Sequence, residues 1–466
     1  MIETKLSQIY NDFKNQELKY CHWKSNANLS KSFESKADFD LLISELDLKL
    51  FNESIAKYGL KRRSSTANNV YPGMIDYLGL DEVTGKIFHF HVHFKLIFGK
   101  KLQKNIRWPI EEYILDTAIW DKEYNIKIIK PELELLLLAL RAILKVNFGI
   151  KNLLKSLFGK NIFQQNFIFE WEFLKNRIDN SLYRRYGMSL LPDISDILIN
   201  FVEQDIRKIS FYQLAIYCRR VLNSLKSYKI YSTKDFSNER RIKRLSARSS
   251  KTWLDRGGMS FAFVGADGSG KSSTVMDIKK WLGWKLSVQT FYMGLPKKYL
   301  TWKALVLFHK IFMKLGFIEL AERIDFLKWI FVAKLRYKKF ADSEMVKNQG
   351  KIIIFDRFPL KEFWEMDEPM DGPRIKKYCS LREVEQKYYN KIGYPDYIFA
   401  LKVNEKQSLD RKSESKGNKY RKELKNKIIA IEKLSRLNND KFIFIDTTKG
   451  KAETIYEIKQ KIWMLL

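Results

Sequence analysis

The chain has 466 residues, with 85 Lys and Arg against 54 Asp and Glu, a formal net charge of +31, and 45% hydrophobic and 14% aromatic residues. That length exceeds one ordinary core and points to about three domains, while the apolar content excludes disorder of the whole chain. So basic a chain draws anionic partners, whether nucleic acid, an anionic membrane surface or a phosphorylated substrate, and charge alone does not choose among them.

Met1 to Lys5 opens a mixed polar segment without the apolar stretch of a secretory leader. The three cysteines, Cys21, Cys218 and Cys379, are odd in number and far apart, so they form no disulfide framework or CxxC metal site and fit a reducing compartment. From Met1 to about Lys130 strand and helix rhythms mix: Asp38 to Ile43 reads as a strand and Ile87 to Ile97 alternates, which predicts an α+β unit. From Pro131 to about Ser227 apolar residues recur at helical spacing, as in Glu132 to Leu136 and Leu190 to Val202, and Pro131 suits a first helical turn. The most apolar run, Leu133 to Leu144, is interrupted by Arg141 and is shorter than the ~20 residues of a membrane span. It is expected to be a buried helix, and the protein to be cytoplasmic.

Residues 229–258 include Arg240, Arg241, Lys243 and Arg244 and end in Gly257-Gly258, which reads as an exposed basic connector. Beyond it, short apolar runs at Ser260–Val264, Leu286–Phe291, Ile352–Phe355, Tyr397–Leu401 and Phe442–Ile445 are separated by segments of helical rhythm. Fully buried strands alternating with helices predict a parallel α/β sheet.

The first of these runs leads into Gly265-Ala266-Asp267-Gly268-Ser269-Gly270-Lys271-Ser272-Ser273, which has the GxxxxGK-Ser spacing of a phosphate loop. Glycines let successive backbone N–H groups turn toward phosphate oxygens at a helix N-terminus. Lys271 would reach the β- and γ-phosphates of ATP, and the Ser272 hydroxyl would ligate Mg2+. The run Ile352 to Phe358 delivers Asp356 and Arg357 at a strand's carboxyl end, where parallel sheets bind ligands. Asp356 could hold Mg2+ or orient the acceptor oxygen, and Arg357 could grip an anionic group on the acceptor. Asn404-Glu405-Lys406-Gln407 has the pattern of a capping box opening a helix with Arg411, Lys412 and Lys416. These cations could close over the transferring phosphoryl group or be a solvated face.

Taken in order, these motifs resemble the thymidylate kinase-like branch of the P-loop nucleoside monophosphate kinases, over about residues 259–466. The resemblance rests on the phosphate loop with its Asp267, on Asp356-Arg357-Phe358, and on Pro395-Asp396-Tyr397 leading to Arg411. It implies a five-stranded parallel core, ATP with Mg2+ as donor, and an acceptor held by Arg357, with Arg336 near it. The family members that phosphorylate dTMP carry a Gln shortly after the arginine matched by Arg336, whereas Tyr337, Lys338 and Lys339 follow here. Met370 to Arg374, with Arg411 to Glu414, looks more like the kinase-like proteins encoded with bacterial surface-polysaccharide genes, which brings Arg374 into the acceptor site.

At the amino terminus, His22-Trp23-Lys24-Ser25-Asn26 followed by Asp38-Phe39-Asp40 resembles the nucleotidyltransferase fold. There, alternate carboxylates on one strand face share a divalent metal, here Asp38 and Asp40. Ser25-Asn26 stands where that fold has a Gly-Gly or Gly-Ser turn, and His89, His91 and His93 stand where a further carboxylate is expected. Two readings remain: a metal or nucleotide site with altered ligands, or a non-catalytic scaffold.

The whole is expected to be a nucleotidyltransferase-like domain (1–130), a helical domain (131–228), a basic linker (229–258) and a P-loop kinase (259–466). The expected activity is ATP- and Mg2+-dependent phosphoryl transfer to a phosphorylated, glycan- or lipid-linked acceptor, with peripheral contact to an anionic membrane. The alternatives are a nucleoside monophosphate kinase, a nucleic-acid end-processing kinase or a regulatory ATP-binding module. Nucleic acid is the weaker partner, because the amino-terminal half lacks the KxDG lysine of a ligase.

Overall fold

In the computed structural model the described residues are 4–65, 73–100, 103–145, 162–229, 252–364, 372–377, 379–411, 418–437 and 439–466. They divide into two compact units, Met1–Ser250 and Lys251–Leu466. The basic run Arg240 to Arg244, Met370, Asp371, Lys412 and Lys416 lie outside the described residues. Among the described residues no helix is long and apolar enough to cross a membrane.

The amino-terminal unit begins with a helix, Lys5–Asn15, capped by Thr4, whose Oγ1 accepts from the Ser7 amide. Leu6, Ile9, Tyr10 and Phe13 follow the 3–4 spacing of one helix face and are all buried. Its strands are β1 (Tyr20–His22), β2 (Phe39–Ile43), β3 (Lys61–Ser65), β4 (Met74–Asp81), β5 (Lys86–His93), a separate hairpin of β6 (Ile97–Lys100) and β7 (Gln103–Arg107), β8 (Ile119–Asp121) and β9 (Ile126–Ile128). The main sheet runs β3-β4-β5-β2-β1-β9-β8, with β2 parallel to β5 and β4 antiparallel to it. Register aligns Asp40 of β2 with His91 of β5, and His91 in turn with Asp76 of β4. Three polar residues therefore lie in one row across neighbouring strands.

Helices follow at Pro131–Leu144, Gln165–Lys175, Asn180–Leu190, Ser195–Glu203 and Phe211–Ser224. Pro131 occupies the first turn of its helix, where a missing N–H costs nothing. The periodic stretch from Leu190 to Val202 is not one helix: the first ends at Leu190, and Pro192 starts a short 3-10 turn before Ser195. Proline cannot supply the hydrogen bond that would join the two. The helices bury Leu135, Leu138, Trp171, Phe201 and Val221 in a core that also takes Cys21 and Leu42 from the strands and Trp23 from just after β1.

In the carboxyl-terminal unit, β10 (Thr252–Leu254) precedes five strands: β11 (Ser260–Gly265), β12 (Val288–Tyr292), β13 (Ile352–Asp356), β14 (Tyr397–Lys402) and β15 (Phe442–Asp446). All five pair in parallel, in the order β12-β13-β11-β14-β15. The expected parallel sheet is thus present, with β12 beginning two residues later than its apolar run. Helices Leu300–Lys314 and Ile318–Lys347 form an antiparallel pair turned at Gly316, whose φ of +82° suits glycine.

The central strands are tied at their amino ends by Asp396, whose Oδ2 accepts from the Ser260 amide at 2.7 Å and the Ser260 hydroxyl at 2.8 Å. Ser260 is fully buried, so its donors have no water to turn to. Asp396→Ala should destabilise the unit by roughly 2–4 kcal/mol, and Asp396→Asn, which retains one acceptor, should cost less. Urea denaturation of the two variants checks both the loss and its order.

Candidate functional site

The phosphate loop joins β11 to the helix Lys271–Leu282. Gly268 (φ +81°) and Gly270 (φ +86°) take the left-handed backbone that lets the loop curl, and a Cβ on Gly268 would lie 2.8 Å from the Ser408 carbonyl. Lys271 is buried, and its Nζ donates to the carbonyls of Gly265 (2.8 Å) and Ala266 (2.7 Å). The Ser273 hydroxyl donates to the Gly270 carbonyl. Ser269 is buried in the same loop, and its Oγ has no hydrogen-bond partner among the described residues.

Across the sheet, Asp356 ends β13, and Oδ2 accepts from the Ser272 hydroxyl at 2.9 Å. Asp356 Oδ1 is buried with no hydrogen-bond partner among the described residues. A buried carboxylate oxygen left over beside a hydroxyl ligand is the donor set that suits a hard, oxygen-seeking cation such as Mg2+.

Arg357 follows at a φ of +64°, an uncommon conformation for a side chain of that size. Its guanidinium reaches Asp267 Oδ1 at 3.3 Å, while Lys427 holds Asp267 Oδ2 at 2.9 Å. Arg336 is buried; Nε donates to the Met293 carbonyl (2.6 Å) and Nη1 to the Tyr389 hydroxyl (2.7 Å). The Arg374 amide is held by the buried Glu385, and its guanidinium stacks 4.9 Å from the Trp329 ring. Burial raises the Glu385 pKa against the hydrogen bonds it accepts.

These groups meet in a cavity of about 210 Å3 lined by Gly265, Asp267, Trp329, Arg336, Arg357 and Arg374, with Tyr292, Leu295, Lys297 and Lys427 completing it. Five cations thus face one carboxylate. Arg411 lies at the loop's other side, donating to the Gly268 carbonyl (3.3 Å) and the Thr447 carbonyl (2.8 Å). Its helix, Glu405–Asp410, is capped by Asn404, which accepts from the Gln407 amide; the Gln407 side chain turns to the Thr448 carbonyl, so the reciprocal half of the capping box is absent. Lys427 and Lys297 were not read from the sequence, where they are two lysines among many.

In the amino-terminal unit Asp38 and Asp40 have separate partners. Asp40 pairs with Lys24 at 2.8 Å, and Asp38, just before β2, lies 3.0 Å from His89 Nδ1. Burial opposes the Asp40 charge, but Lys24, His91 and His22 outweigh it and lower its pKa; burial lowers that of Lys24. Asp76, missed in the sequence, accepts at Oδ1 from His89 Nε2 (3.0 Å) and His91 Nδ1 (2.7 Å), with Arg63 on Oδ2 at 3.2 Å. Burial would raise the Asp76 pKa, but the two histidines hold it well below the carboxylate range. Burial likewise opposes charge on His89, yet Asp38 and Asp76 raise its pKa, whereas burial prevails at His91 and lowers it.

The turn at Ser25 adopts φ +61°, the backbone a glycine would favour. Its amides point at protein carboxylates: Ser25 N donates to Glu170 (3.2 Å) and Asn26 N to Glu134 (3.0 Å). Glu134 also accepts from Asn26 Nδ2 at 2.7 Å. A phosphate at this turn would meet two acids in place of free N–H groups.

No family model matches the chain, and no curated protein matches it. Among solved structures it is similar to deoxyadenosine kinase from M. mycoides with bound dATP, at 17% identity and a TM-score of 0.29, covering 44% of this chain and 98% of that one. The same enzyme with the products dCMP and a flexible dCDP gives 19% identity, a TM-score of 0.31 and the same coverages. At such TM-scores the likeness assigns no activity to this chain.

Burial pushes Glu134 up to about 7 from an ordinary 4.5, despite the two Asn26 donors. A carboxyl whose pKa is raised by folding contributes its stability below the unfolded pKa and loses it as pH rises through the folded one. Between pH ~4.5 and ~7 the wild type should lose roughly 3 kcal/mol relative to Glu134→Gln. Denaturation midpoints of the two proteins across that window measure the difference.

Proposed function

We propose that the carboxyl-terminal unit is an ATP- and Mg2+-dependent phosphotransferase acting on an anionic acceptor. The cationic cavity beside the phosphate loop carries this reading, because Arg336, Arg357, Arg374, Lys297 and Lys427 converge next to Gly265 and Asp267. Trp329 and Tyr292 add flat surfaces for a sugar or base.

In the proposed reaction an acceptor oxygen bonds to the γ-phosphorus of ATP while the bond to the β–γ bridging oxygen breaks and ADP leaves. Catalysis of this kind is mostly positioning and charge stabilisation by preorganised groups. Lys271 is the loop cation for the β- and γ-phosphates, Arg357 grips the acceptor with Arg336 and Arg374 around it, and Arg411 serves the transferring group. Gly265, Asp267, Gly268, Ser269, Gly270 and Ser273 shape the loop. Ser272 and Asp356 would hold Mg2+, which when bound neutralises the phosphate charge.

The acceptor is proposed to be a phosphorylated glycan or lipid-linked precursor of the kind used in bacterial surface-polysaccharide synthesis. The helical pair supports this reading. Of Leu300–Lys314 only Trp302 is buried, whereas Leu300 is 82%, Leu315 62% and Ile318 60% exposed, with Leu307, Phe308 and Phe317 also exposed. Lys303, Lys310 and Lys314 lie exposed among them. Apolar side chains interleaved with cations match an anionic lipid surface. Residues 1–130 are read as a nucleotidyltransferase-like domain, 131–228 as a helical domain and 229–258 as a linker.

Lys271→Ala should lower acceptor-dependent ATP turnover by on the order of 10²-fold or more, and Asp356→Asn should do so without moving the unfolding midpoint. Unchanged turnover in Lys271→Ala overturns the kinase reading. Separately, the protein should co-sediment with anionic vesicles at low salt, and Leu307→Glu with Phe308→Glu should abolish this. Efficient phosphorylation of dTMP without vesicle or phosphoglycan binding would return the plain nucleotide-kinase reading.

A further inference from the structure

We propose that the amino-terminal unit binds one divalent first-row transition-metal ion, of the Zn2+ type, through Asp76 Oδ1, His89 Nε2 and His91 Nδ1. The sheet register brings these atoms together: His91 lies opposite Asp76 on the neighbouring antiparallel strand, and His89 lies two residues earlier on the same face. Both ring nitrogens lie within 3.0 Å of the same carboxylate oxygen, and the three candidate ligand atoms fall within 4.8 Å of one another. Ligands at about 2.1 Å from a tetrahedral ion sit about 3.4 Å apart, so a small opening of the cluster admits it.

The surroundings match those of a ligand set. Asp38 Oδ1 lies 3.0 Å from His89 Nδ1, the ring nitrogen other than the Nε2 that faces Asp76. A carboxylate behind a histidine is the usual support for a metal ligand. Arg63 holds Asp76 Oδ2 at 3.2 Å, which aims Oδ1 at the two rings, although its charge moderates the affinity. Arg63 Nη1 also lies 3.5 Å from His89 Nε2, so this cation borders the proposed position and must give way as the ion binds.

Two imidazoles and one carboxylate favour a transition metal over Mg2+, which prefers oxygen ligands and several waters. Three protein ligands leave a fourth position open, as in sites that present a water or substrate oxygen. A second set, Asp40, His91 and His93, shares His91 and so competes for the same ion. Its carboxylate is committed to Lys24 at 2.8 Å, which favours the Asp76 set. The adjoining turn offers a nucleotide little, since Glu170 and Glu134 occupy its amides.

The test uses the full chain after chelator treatment and desalting, titrated with Zn2+ by calorimetry and with Co2+ by visible absorption, in the presence of millimolar Mg2+. The expected result is one equivalent bound at micromolar or lower concentration, a Co2+ ligand-field band, and no competition by Mg2+. His91→Ala and Asp76→Asn should each weaken binding at least tenfold. Uptake at this site should be unchanged in Asp356→Asn, which alters a carboxylate proposed for the kinase-site cation, separating this ion from that one. Asp38→Asn, a positioning change, should weaken affinity about tenfold while keeping the Co2+ band. Absence of saturable uptake by the folded wild type overturns the proposal without recourse to variants. Uptake that survives both His91→Ala and Asp76→Asn, or that Mg2+ displaces, overturns it as well.

Discussion

A carboxylate taken out of water must be met by donors or cations, and those partners organise the candidate site of each unit. Beside the phosphate loop, Asp356 is met by the Ser272 hydroxyl and Asp267 by Arg357 and Lys427. In the amino-terminal unit Asp76 is met by two histidines and Arg63, Asp40 by Lys24, and Glu134 by both nitrogens of Asn26. Most of these acids are fully matched. Asp356 keeps one buried oxygen without a hydrogen-bond partner among the described residues, and that oxygen lies where a cation is expected to sit.

Backbone strain marks the same places. Arg357 and Ser25 both hold left-handed conformations that cost non-glycine residues free energy, on the order of 1 kcal/mol each. At Arg357 the strain turns the guanidinium toward Asp267 and the cavity. At Ser25 it sends two successive amides to Glu170 and Glu134. The two turns thus do opposite things with charge: one assembles cations round an opening, and the other closes its N–H groups with acids.

The phosphate loop, the five parallel strands and the buried helix at Pro131–Leu144 were legible because each is a local pattern. Glycine spacing, runs of β-branched and aromatic residues, and a proline ahead of a leucine-rich segment report on a few consecutive residues. The break at Pro192 was equally local, yet the apolar period ran through it and masked it. Glu134 could have been noticed as an acid inside the most apolar run, a position that demands a partner. Asp76 carried a fainter signal, an acid in the interior of a strand that is otherwise uncharged up to its last residue, Asp81.

Composition and motif spacing by themselves determined the basic character, the α/β alternation and the phosphate-loop and strand-end motifs that hold Lys271, Ser272, Asp356 and Arg357. Only the tertiary structure decided which charges meet. The alignment of Asp40, His91 and Asp76 depends on strand order and register, set by hydrogen bonds between segments far apart in the chain. Lys427 reaches Asp267 across 160 positions. Arg336 and Arg374 gain their surroundings from Tyr389, Trp329 and Glu385. Side-chain identity is written locally, but electrostatic environment is a sum over neighbours in space, and those neighbours exist only once the strands and helices have packed.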